Sequence, residues 1–485
     1  MVKLKSLSLI GGLAAAAGMA RLARTRRLTQ VQPSPIGPMG LGDEVVAEHL
    51  AELIRVETVS YDGRPPDATA FRHLHEWLEA TYPKAHGTLE KEVVAEHSLL
   101  YTWRGGDGDG KPVLLMAHLD VVPVEPGTED EWEHPPFGAQ RGQGYLWGRG
   151  AMDDKAAVVG IFEAVERLVQ EGFRPSRTVY LAFGHDEEVG GLQGARVIAD
   201  LLRSRGVELE FVLDEGGFVM EGLIPGLRKP LALVGTCEKG FVSLELTAEG
   251  QGGHSSAPPP QTAVGIVAAA VARVEGNQMP SRVEALRGLF AHIAPAAPLR
   301  LRPLFGNFGL IGPFLERRLS ANPTSAALIR TTTAATIIEG GVKQNVLPRR
   351  ARAVINFRIL PGDSIASVLE HVERVVDDRR VSIGLLADLP PVEPASQSST
   401  QSDAFRVLTR AISRAFPDAV VAPWTLIGMT DSRHYQELAG DVYRFVPFRL
   451  VPEDRQRIHG TNERLRLDDC GNLVRFYHQL LADLQ

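Results

Sequence analysis

Cysteine is scarce in this chain of 485 residues, which contains only Cys237 and Cys470. Neither residue lies in a CxxC pair, and two cysteines cannot build the disulfide framework of a small secreted domain. Aromatic residues are also few, at 6% of the chain, whereas hydrophobic residues reach 44% and charged residues 23%. This composition is typical of a globular protein, and the length predicts two or three domains of roughly 150 residues each.

The body of the chain has little positive charge. The first thirty residues contain six lysine and arginine residues and no acid; because the whole chain carries −7, the remaining residues carry −13. An acidic body argues against nucleic acid as a partner.

Long apolar runs are confined to the N-terminus. Basic residues flank an apolar run over residues 7–20, within a leader at 1–42 that ends in a Pro/Gly-rich linker. The pattern predicts a signal peptide or a membrane anchor through residues 6–20, and therefore an anchored or secreted protein of the cell envelope. The alternative is an amphipathic leader that never enters a membrane, which would leave the protein cytoplasmic.

Strand and helix patterns alternate after the leader. Continuous apolar runs at 112–117, 178–183 and 209–213 predict buried parallel strands. Helical periodicity over 155–169 and 192–203 predicts helices between them. Alternating strands and helices predict an α/β domain with a mostly parallel sheet and helices on both faces.

The pattern changes after Gly235, where apolar and polar residues alternate along the predicted strands. We interpret residues 235–386 as a separate α+β domain inserted into the α/β domain. It divides the α/β domain into a first part at 43–234 and a second part at 387–485. The other predicted elements are helices at 262–274, 364–376, 403–416 and 468–481 and a strand at 442–448.

Acidic and imidazole side chains follow the three predicted buried strands. The sequences at these strand ends are His118-Leu119-Asp120, His185-Asp186-Glu187-Glu188 and Asp214-Glu215. A fourth cluster, Asp153-Asp154, follows the turn Gly148-Arg149-Gly150. Because the carboxyl ends of parallel strands meet at one edge of a sheet, we expect these side chains to converge.

Carboxylates packed together repel one another, and a divalent metal resolves that conflict. Mixed histidine and carboxylate ligands fit zinc, with manganese or cobalt as substitutes. On an extended segment His118 and Asp120 face the same way, so Asp120 can orient the imidazole. Of the adjacent Glu187 and Glu188, we expect one to be a ligand and its neighbour to be a general base.

Taken in order, these motifs resemble those of the aminoacylase/carboxypeptidase S family of zinc metallopeptidases, and in particular its carboxypeptidase S and N-fatty-acyl-amino acid synthase/hydrolase branch. The resemblance runs from about residue 43 to the end of the chain. The stretches that carry it are Gly184–Glu188, Asp214–Phe218, His254–Pro259, Arg330–Thr333 and Arg457–Gly460.

The resemblance implies a site for two zinc ions in each subunit. The implied ligands are His118 and Asp214 for one ion, Glu188 and His459 for the other, and Asp153 as the bridge. It further implies that Asp120 is an orienting aspartate, that Glu187 is the general base and that the Asp153–Asp154 peptide is cis.

The inserted domain resembles the lid, or dimerisation-type domain, of the family, which implies that the α/β domain at 43–234 and 387–485 is the catalytic domain. In the family the lid adds contacts to the substrate. His254 matches the lid histidine that hydrogen-bonds the substrate carbonyl, and Asn345 and Arg358 match residues that hold a free carboxylate. In dimeric relatives this histidine comes from the neighbouring subunit, so a homodimer is an expectation that the sequence leaves open. The apolar stretch at 279–329 is interpreted either as a channel for a long acyl chain or as lid core or subunit interface.

The resemblance implies a hydrolase of the amide bond in N-acyl amino acids, N-fatty-acyl ones included, or at the C-terminal residue of peptides. The reaction could also run towards synthesis. The alternative enzyme is a short-peptide carboxypeptidase or dipeptidase, and the non-enzymatic alternative is an inactive metal-binding scaffold. Retention of both Asp120 and Glu187 favours an enzyme.

Overall fold

The computed structural model describes residues 43–106, 110–224, 226–299, 302, 305, 308–386 and 390–484, without the side chains at 308–311. The predicted leader at 1–42 lies outside the described residues. Within the described ranges, no helix combines the length and apolarity needed to cross a bilayer.

The elements follow in chain order. The described α-helices are α1 (Asp43–Ile54), α2 (Ala68–Thr81), α3 (Pro83–Thr88), α4 (Lys155–Gln170), α5 (Ala195–Ser204), α6 (Ala263–Gly276), α7 (Arg287–Ile293), α8 (Phe308–Ser320), α9 (Pro323–Ala326), α10 (Ile365–Val376), α11 (Asp403–Ala415) and α12 (Leu467–Ala482). The described strands are β1 (Glu90–Val94), β2 (Ser98–Trp103), β3 (Val113–His118), β4 (Gln140–Gly142), β5 (Tyr145–Trp147), β6 (Val179–Gly184), β7 (Leu209–Asp214), β8 (Val219–Met220), β9 (Leu231–Glu238), β10 (Gly240–Glu249), β11 (Gly253–His254), β12 (Thr332–Gly340), β13 (Val346–Leu347), β14 (Arg350–Ile359), β15 (Val381–Leu385), β16 (Val420–Leu426), β17 (Ala439–Arg444), β18 (Arg449–Leu450) and β19 (Arg464–Arg466).

A ten-stranded sheet forms the centre of the catalytic domain. Its strand order is β1-β2-β6-β3-β7-β17-β9-β8-β18, with β16 paired to β9. The central strands β6, β3, β7 and β17 run parallel, and antiparallel pairs lie nearer the edges. This arrangement confirms the predicted α/β class with a mostly parallel sheet.

Both faces of strand β3 are packed against apolar residues, which explains why its sequence is apolar at every position. Val113 and Leu115 belong to the larger core, which includes apolar residues of α1, α4 and α12. Leu114 and Met116 point to a second core, which is built with residues of α5. Because successive side chains of a strand face opposite sides of the sheet, helices on both faces require apolar residues at every position.

The lid is a separate four-stranded antiparallel sheet in the order β12-β14-β10-β15. Its apolar core includes residues of α6 and α10. Strand β9 ends in the large sheet at Glu238 and β10 begins in the lid sheet at Gly240, so Lys239 alone separates the two sheets on this side.

The apolar stretch at 279–329 belongs mainly to the catalytic core, although its sequence lies within the predicted lid. Leu289, Phe290 and Ile293 of helix α7 join the larger core together with Ile329. The helix packs on β16, which pairs only with β9 among the described strands. These four residues therefore cover the flank of the large sheet, whereas Leu299 and Phe314 of the same stretch are exposed.

Candidate active site

Three neighbouring strands deliver the predicted acidic clusters to one edge of the sheet. His118 ends β3, Gly184 ends β6 and Asp214 ends β7. Strand β3 lies between β6 and β7 in the sheet. The convergence expected at the carboxyl ends of the strands is therefore present.

Asp153 lies between two histidines. Its Oδ1 atom is 2.9 Å from Nε2 of His118, and its Oδ2 atom is 3.0 Å from Nε2 of His459. The same nitrogen of His459 lies 3.2 Å from Oε2 of Glu188. The peptide between Asp153 and Asp154 is cis, as the resemblance implied. Each oxygen of Asp153 thus faces a different histidine, which is the arrangement expected of a bridging carboxylate.

Asp120 organises this site through both its backbone and its side chain. Its carbonyl oxygen accepts a hydrogen bond from Nδ1 of His118 at 2.9 Å, while its carboxylate lies 3.4 Å from the same nitrogen. The carboxylate also accepts the backbone N–H groups of Glu187 at 3.1 Å and Glu188 at 3.2 Å. These contacts leave Nε2 of His118 to face the site and fix the loop that carries both glutamates.

The acids of the site are crowded and poorly solvated. Desolvation raises the pKa of Glu187, and the negative charges of Asp431 and Glu188 raise it further. Desolvation likewise raises the pKa of Glu188 and of Glu215. Burial opposes ionisation of Asp153, but hydrogen bonds from His118 and His459 outweigh it and lower the pKa of Asp153. This crowding favours a bound cation over four separate ionised acids.

Two groups of side chains have the spacing of metal ligands. In each group the ligand atoms lie within 4.8 Å of one another. The groups are His118 with Asp153 and Glu188, and His118 with Glu187 and Glu215. The Oε1 atom of Glu188 is buried without a hydrogen-bond partner, so it has an unused lone pair inside the site. Imidazole nitrogen and carboxylate oxygen are the donor set of a zinc site.

The structure places Glu215, rather than the predicted Asp214, beside His118. Asp214 is buried, and its Oδ2 atom accepts the backbone N–H of Ser432 at 2.8 Å. We therefore interpret Glu215, which the sequence analysis did not single out, as a second candidate ligand beside the predicted Asp214.

The three predicted lid residues lie in two places. His254 is exposed on β11, where its Nδ1 atom lies 2.8 Å from Oγ of Ser256. The backbone oxygen of Asn345 accepts the N–H of Ser255 at 3.2 Å, so Asn345 lies beside this histidine. In the described part of the chain, no hydrogen bond or ion pair joins either residue to the metal-binding cluster.

Arg358 lies on β14 of the lid sheet, opposite Phe241 of β10. Its guanidinium lies 4.9 Å from the centre of the Phe241 ring. Burial lowers the pKa of Arg358, and the positive charge of Arg433 lowers it further. Burial also lowers the pKa of Lys239 to about 8, with Arg358 adding to the effect. Lys239 and Arg433 thus lie within electrostatic range of Arg358.

Arg433 is a second residue that the sequence did not single out. It follows Ser432, whose backbone binds Asp214, and its Nη2 atom donates to the carbonyl oxygen of Gly190 at 2.6 Å. The segment that carries Arg433 thus contacts two of the strand-end loops.

The fold and the site together define a hydrolase of the metallopeptidase class. The chain belongs to peptidase family M20/M25/M40, whose model matches residues 114–483. This finding confirms the resemblance to the aminoacylase/carboxypeptidase S family.

Similar chains extend over nearly the whole sequence. A probable carboxypeptidase S-like protein of Dictyostelium discoideum is 42% identical over 92% of this chain and 86% of its own length. An N-fatty-acyl-amino acid synthase/hydrolase of Xenopus tropicalis is 40% identical over 90% of this chain and 85% of its own length. Carboxypeptidase S of Saccharomyces cerevisiae is 31% identical over 90% of this chain and 84% of its own length.

Solved structures share the fold at low sequence identity. An M20 family metallo-carboxypeptidase of Sulfolobus solfataricus has a TM-score of 0.62 at 18% identity and covers 90% of this chain and 98% of its own. Human carnosine dipeptidase 1 has a TM-score of 0.60 at 16% identity, with coverages of 91% and 96%.

Paired substitutions test which acid faces the metal. Loss of a residue that only hydrogen-bonds a metal ligand typically weakens metal binding roughly 10–100-fold. We expect Glu215→Gln to weaken zinc binding by more than this, because it would remove a ligand. Asp214→Asn keeps a side-chain oxygen that can accept the N–H of Ser432, so it should bind zinc nearly as the wild type does. Zinc titration of the metal-free proteins measures both. Loss of zinc in Asp214→Asn with tight binding in Glu215→Gln would contradict this assignment.

Proposed function

We propose that this chain is a zinc-dependent hydrolase of the amide bond in N-acyl amino acids, with N-fatty-acyl amino acids as the substrate class. Its similarity to an N-fatty-acyl-amino acid synthase/hydrolase along 90% of the chain supports this substrate class. The observation that carries the chemistry is the position of Glu187, which shares a cluster of ligand atoms with His118 and Glu215.

Two zinc ions fit the donor set of the cluster. One would be held by His118 and Glu215, the other by Glu188 and His459, with Asp153 as the bridge between them. When bound, zinc supplies Lewis-acid polarisation of a carbonyl and makes water a stronger acid. Manganese or cobalt could replace it.

Glu187 is the proposed general base. Its backbone is fixed by the carboxylate of Asp120, so its side chain has a defined position beside His118. It would take a proton from the attacking water and deliver it to the leaving nitrogen. Positioned groups of this kind typically contribute about 10²–10⁴-fold to the rate. His254 would donate a hydrogen bond to the developing oxyanion.

The substrate's free carboxylate would bind at Arg358. Arg358 has no anionic partner among the described residues, and its neighbours Lys239 and Arg433 are also positive. An anion placed there relieves their repulsion, and a guanidinium can bind a carboxylate with two hydrogen bonds. Asn345 would add an amide contact from the lid.

A homodimer is part of this proposal. His254 is exposed and makes no described contact with the metal-binding cluster of its own chain. Strand β12 lies at the edge of the lid sheet and exposes Ile337 at 41% and Ile338 at 58%. Exposed apolar residues on an edge strand favour pairing with another chain, which could bring a histidine to a neighbouring site.

An assay of released amine on a substrate panel tests the proposed reaction. The panel contains oleoyl- and acetyl-amino acids and dipeptides, each with and without a chelator. We expect the oleoyl-amino acids to be cleaved best and the chelator to abolish cleavage. Efficient cleavage of the dipeptides alone would favour a short-peptide carboxypeptidase or dipeptidase instead.

Glu187→Gln shows whether the amine released in that assay comes from this enzyme or from a contaminating one. It should keep its zinc and lose about 10²–10⁴-fold in turnover, because only the proton acceptor is removed. The exposed Glu208→Gln, whose carboxylate pairs with Lys111 at the surface, is the matched control and should behave as the wild type. Full activity in Glu187→Gln would refute the base assignment.

Arg358→Gln tests recognition of the carboxylate. Loss of hydrogen bonds to a charged group costs about 1.5–3 kcal/mol, so KM for an N-acyl amino acid should rise roughly 10–100-fold. The corresponding N-acyl amine has no carboxylate, and its cleavage should be unaffected. Arg352→Gln, on the same strand but paired with Glu245 and Glu339, is the control. An equal effect on both substrates would contradict the assignment.

A further inference from the structure

Glu463 is a fully buried acid outside the clusters of ligand atoms. Each of its carboxylate oxygens accepts two hydrogen bonds from the loop that leads to Asp153. Oε2 accepts Nη1 of Arg149 at 2.6 Å and the backbone N–H of Gly150 at 3.1 Å. Oε1 accepts the backbone N–H groups of Met152 at 2.8 Å and of Asp153 at 3.2 Å. One side chain therefore fixes most of this loop.

Arg149 extends the same network to the other side of the site. The residue is buried, and its Nη2 atom donates to the carbonyl oxygens of His459 and Gly460, each at 3.1 Å. His459 has a φ angle of 62°, in a region that residues other than glycine rarely adopt. The guanidinium thus binds the backbone where that unusual conformation occurs and stabilises it.

The two loops joined by this pair are far apart in sequence, since 314 positions separate Arg149 from Glu463. They carry two side chains that must meet, because Nε2 of His459 lies 3.0 Å from Oδ2 of Asp153. The loop bearing Asp153 is fixed through Glu463, and the backbone of His459 is fixed through Arg149. The contact between the two proposed ligands therefore depends on the ion pair.

We infer that the Arg149–Glu463 pair is a positioning device that sets the spacing of Asp153 and His459 for metal binding. The inference rests on the proposed function, since it assumes that these two residues are ligands. A carboxylate suits this role because each of its two oxygens can accept two hydrogen bonds. Hydrogen bonds to a charged group are also stronger than neutral ones, so they fix the geometry more firmly. Neither residue touches the substrate or the reacting atoms in this account.

Glu463→Gln changes this acceptor set without changing its size. One oxygen becomes an NH₂ group, which must face either the donors of Arg149 and Gly150 or those of Met152 and Asp153. Two donors then lose their acceptor, and the loop shifts. We expect zinc affinity to fall about 10–100-fold, as is typical when a residue that orients a ligand is lost. The measurement is zinc titration of the metal-free full-length chain in competition with a chromophoric chelator.

Asp363→Asn is the matched control. Asp363 is also a buried acid, and it pairs with Arg282 and accepts the hydroxyl of Thr331, but it lies in the lid domain. It should change zinc affinity by less than about twofold, because distant sites are energetically independent. Thermal unfolding of the metal-free proteins shows whether both variants lose similar stability.

Arg149→Lys is a second test of the positioning role of this pair. It is sufficient by itself if Glu463→Gln does not fold. Lysine keeps the charge opposite Glu463, but one ammonium cannot replace the fork that also reaches both carbonyl oxygens. It should weaken zinc binding by about tenfold or more. The inference is overturned if the folded variants bind zinc as the wild type does, or if Asp363→Asn loses as much affinity. A wild-type chain that binds no zinc would overturn the proposed function, and the inference with it.

Discussion

Crowding of carboxylates at one edge of the large sheet is the constraint on which the rest of the site depends. Desolvation raises the pKa of Asp154, Glu187, Glu188 and Glu215 alike. Such a group of acids needs either protons or cations to remain together. Two histidines alone do not supply that charge, because each already lies against Asp153. In the proposed function, a pair of divalent ions satisfies the requirement and gives the same acids a catalytic use.

Acids that do not face the cluster hold the loops that carry the ones that do. Asp120 accepts the backbone N–H groups of the two adjacent glutamates, and Glu463 accepts those of Met152 and Asp153. Asp214 accepts the N–H of Ser432, beside the cationic Arg433. Each uses its charge on backbone donors, which fixes geometry before any ligand binds. The lid sheet is joined to the large sheet through Lys239, the single residue between β9 and β10.

Sequence patterns predicted the central strands, their flanking helices and the convergence of acids, because burial on both faces of a parallel sheet leaves a direct signature. They could not set Glu215 apart from Asp214, since adjacent acids carry the same signal, whereas the structure groups the carboxylate of Glu215 with His118. Glu463 had no local signal, because its partners lie about 310 positions away in sequence. The stretch at 279–329 was placed in the lid by its sequence position, whereas its packing against β16 is a tertiary contact.

Anomalous X-ray scattering at the zinc edge, on crystals of the zinc-loaded chain, tests the central claim most directly. The account predicts two peaks in each subunit. One should lie between His118 and Glu215 and the other between Glu188 and His459, with Asp153 contacting both. A cluster without zinc, or a zinc ion bound by Asp214 in place of Glu215, would contradict it.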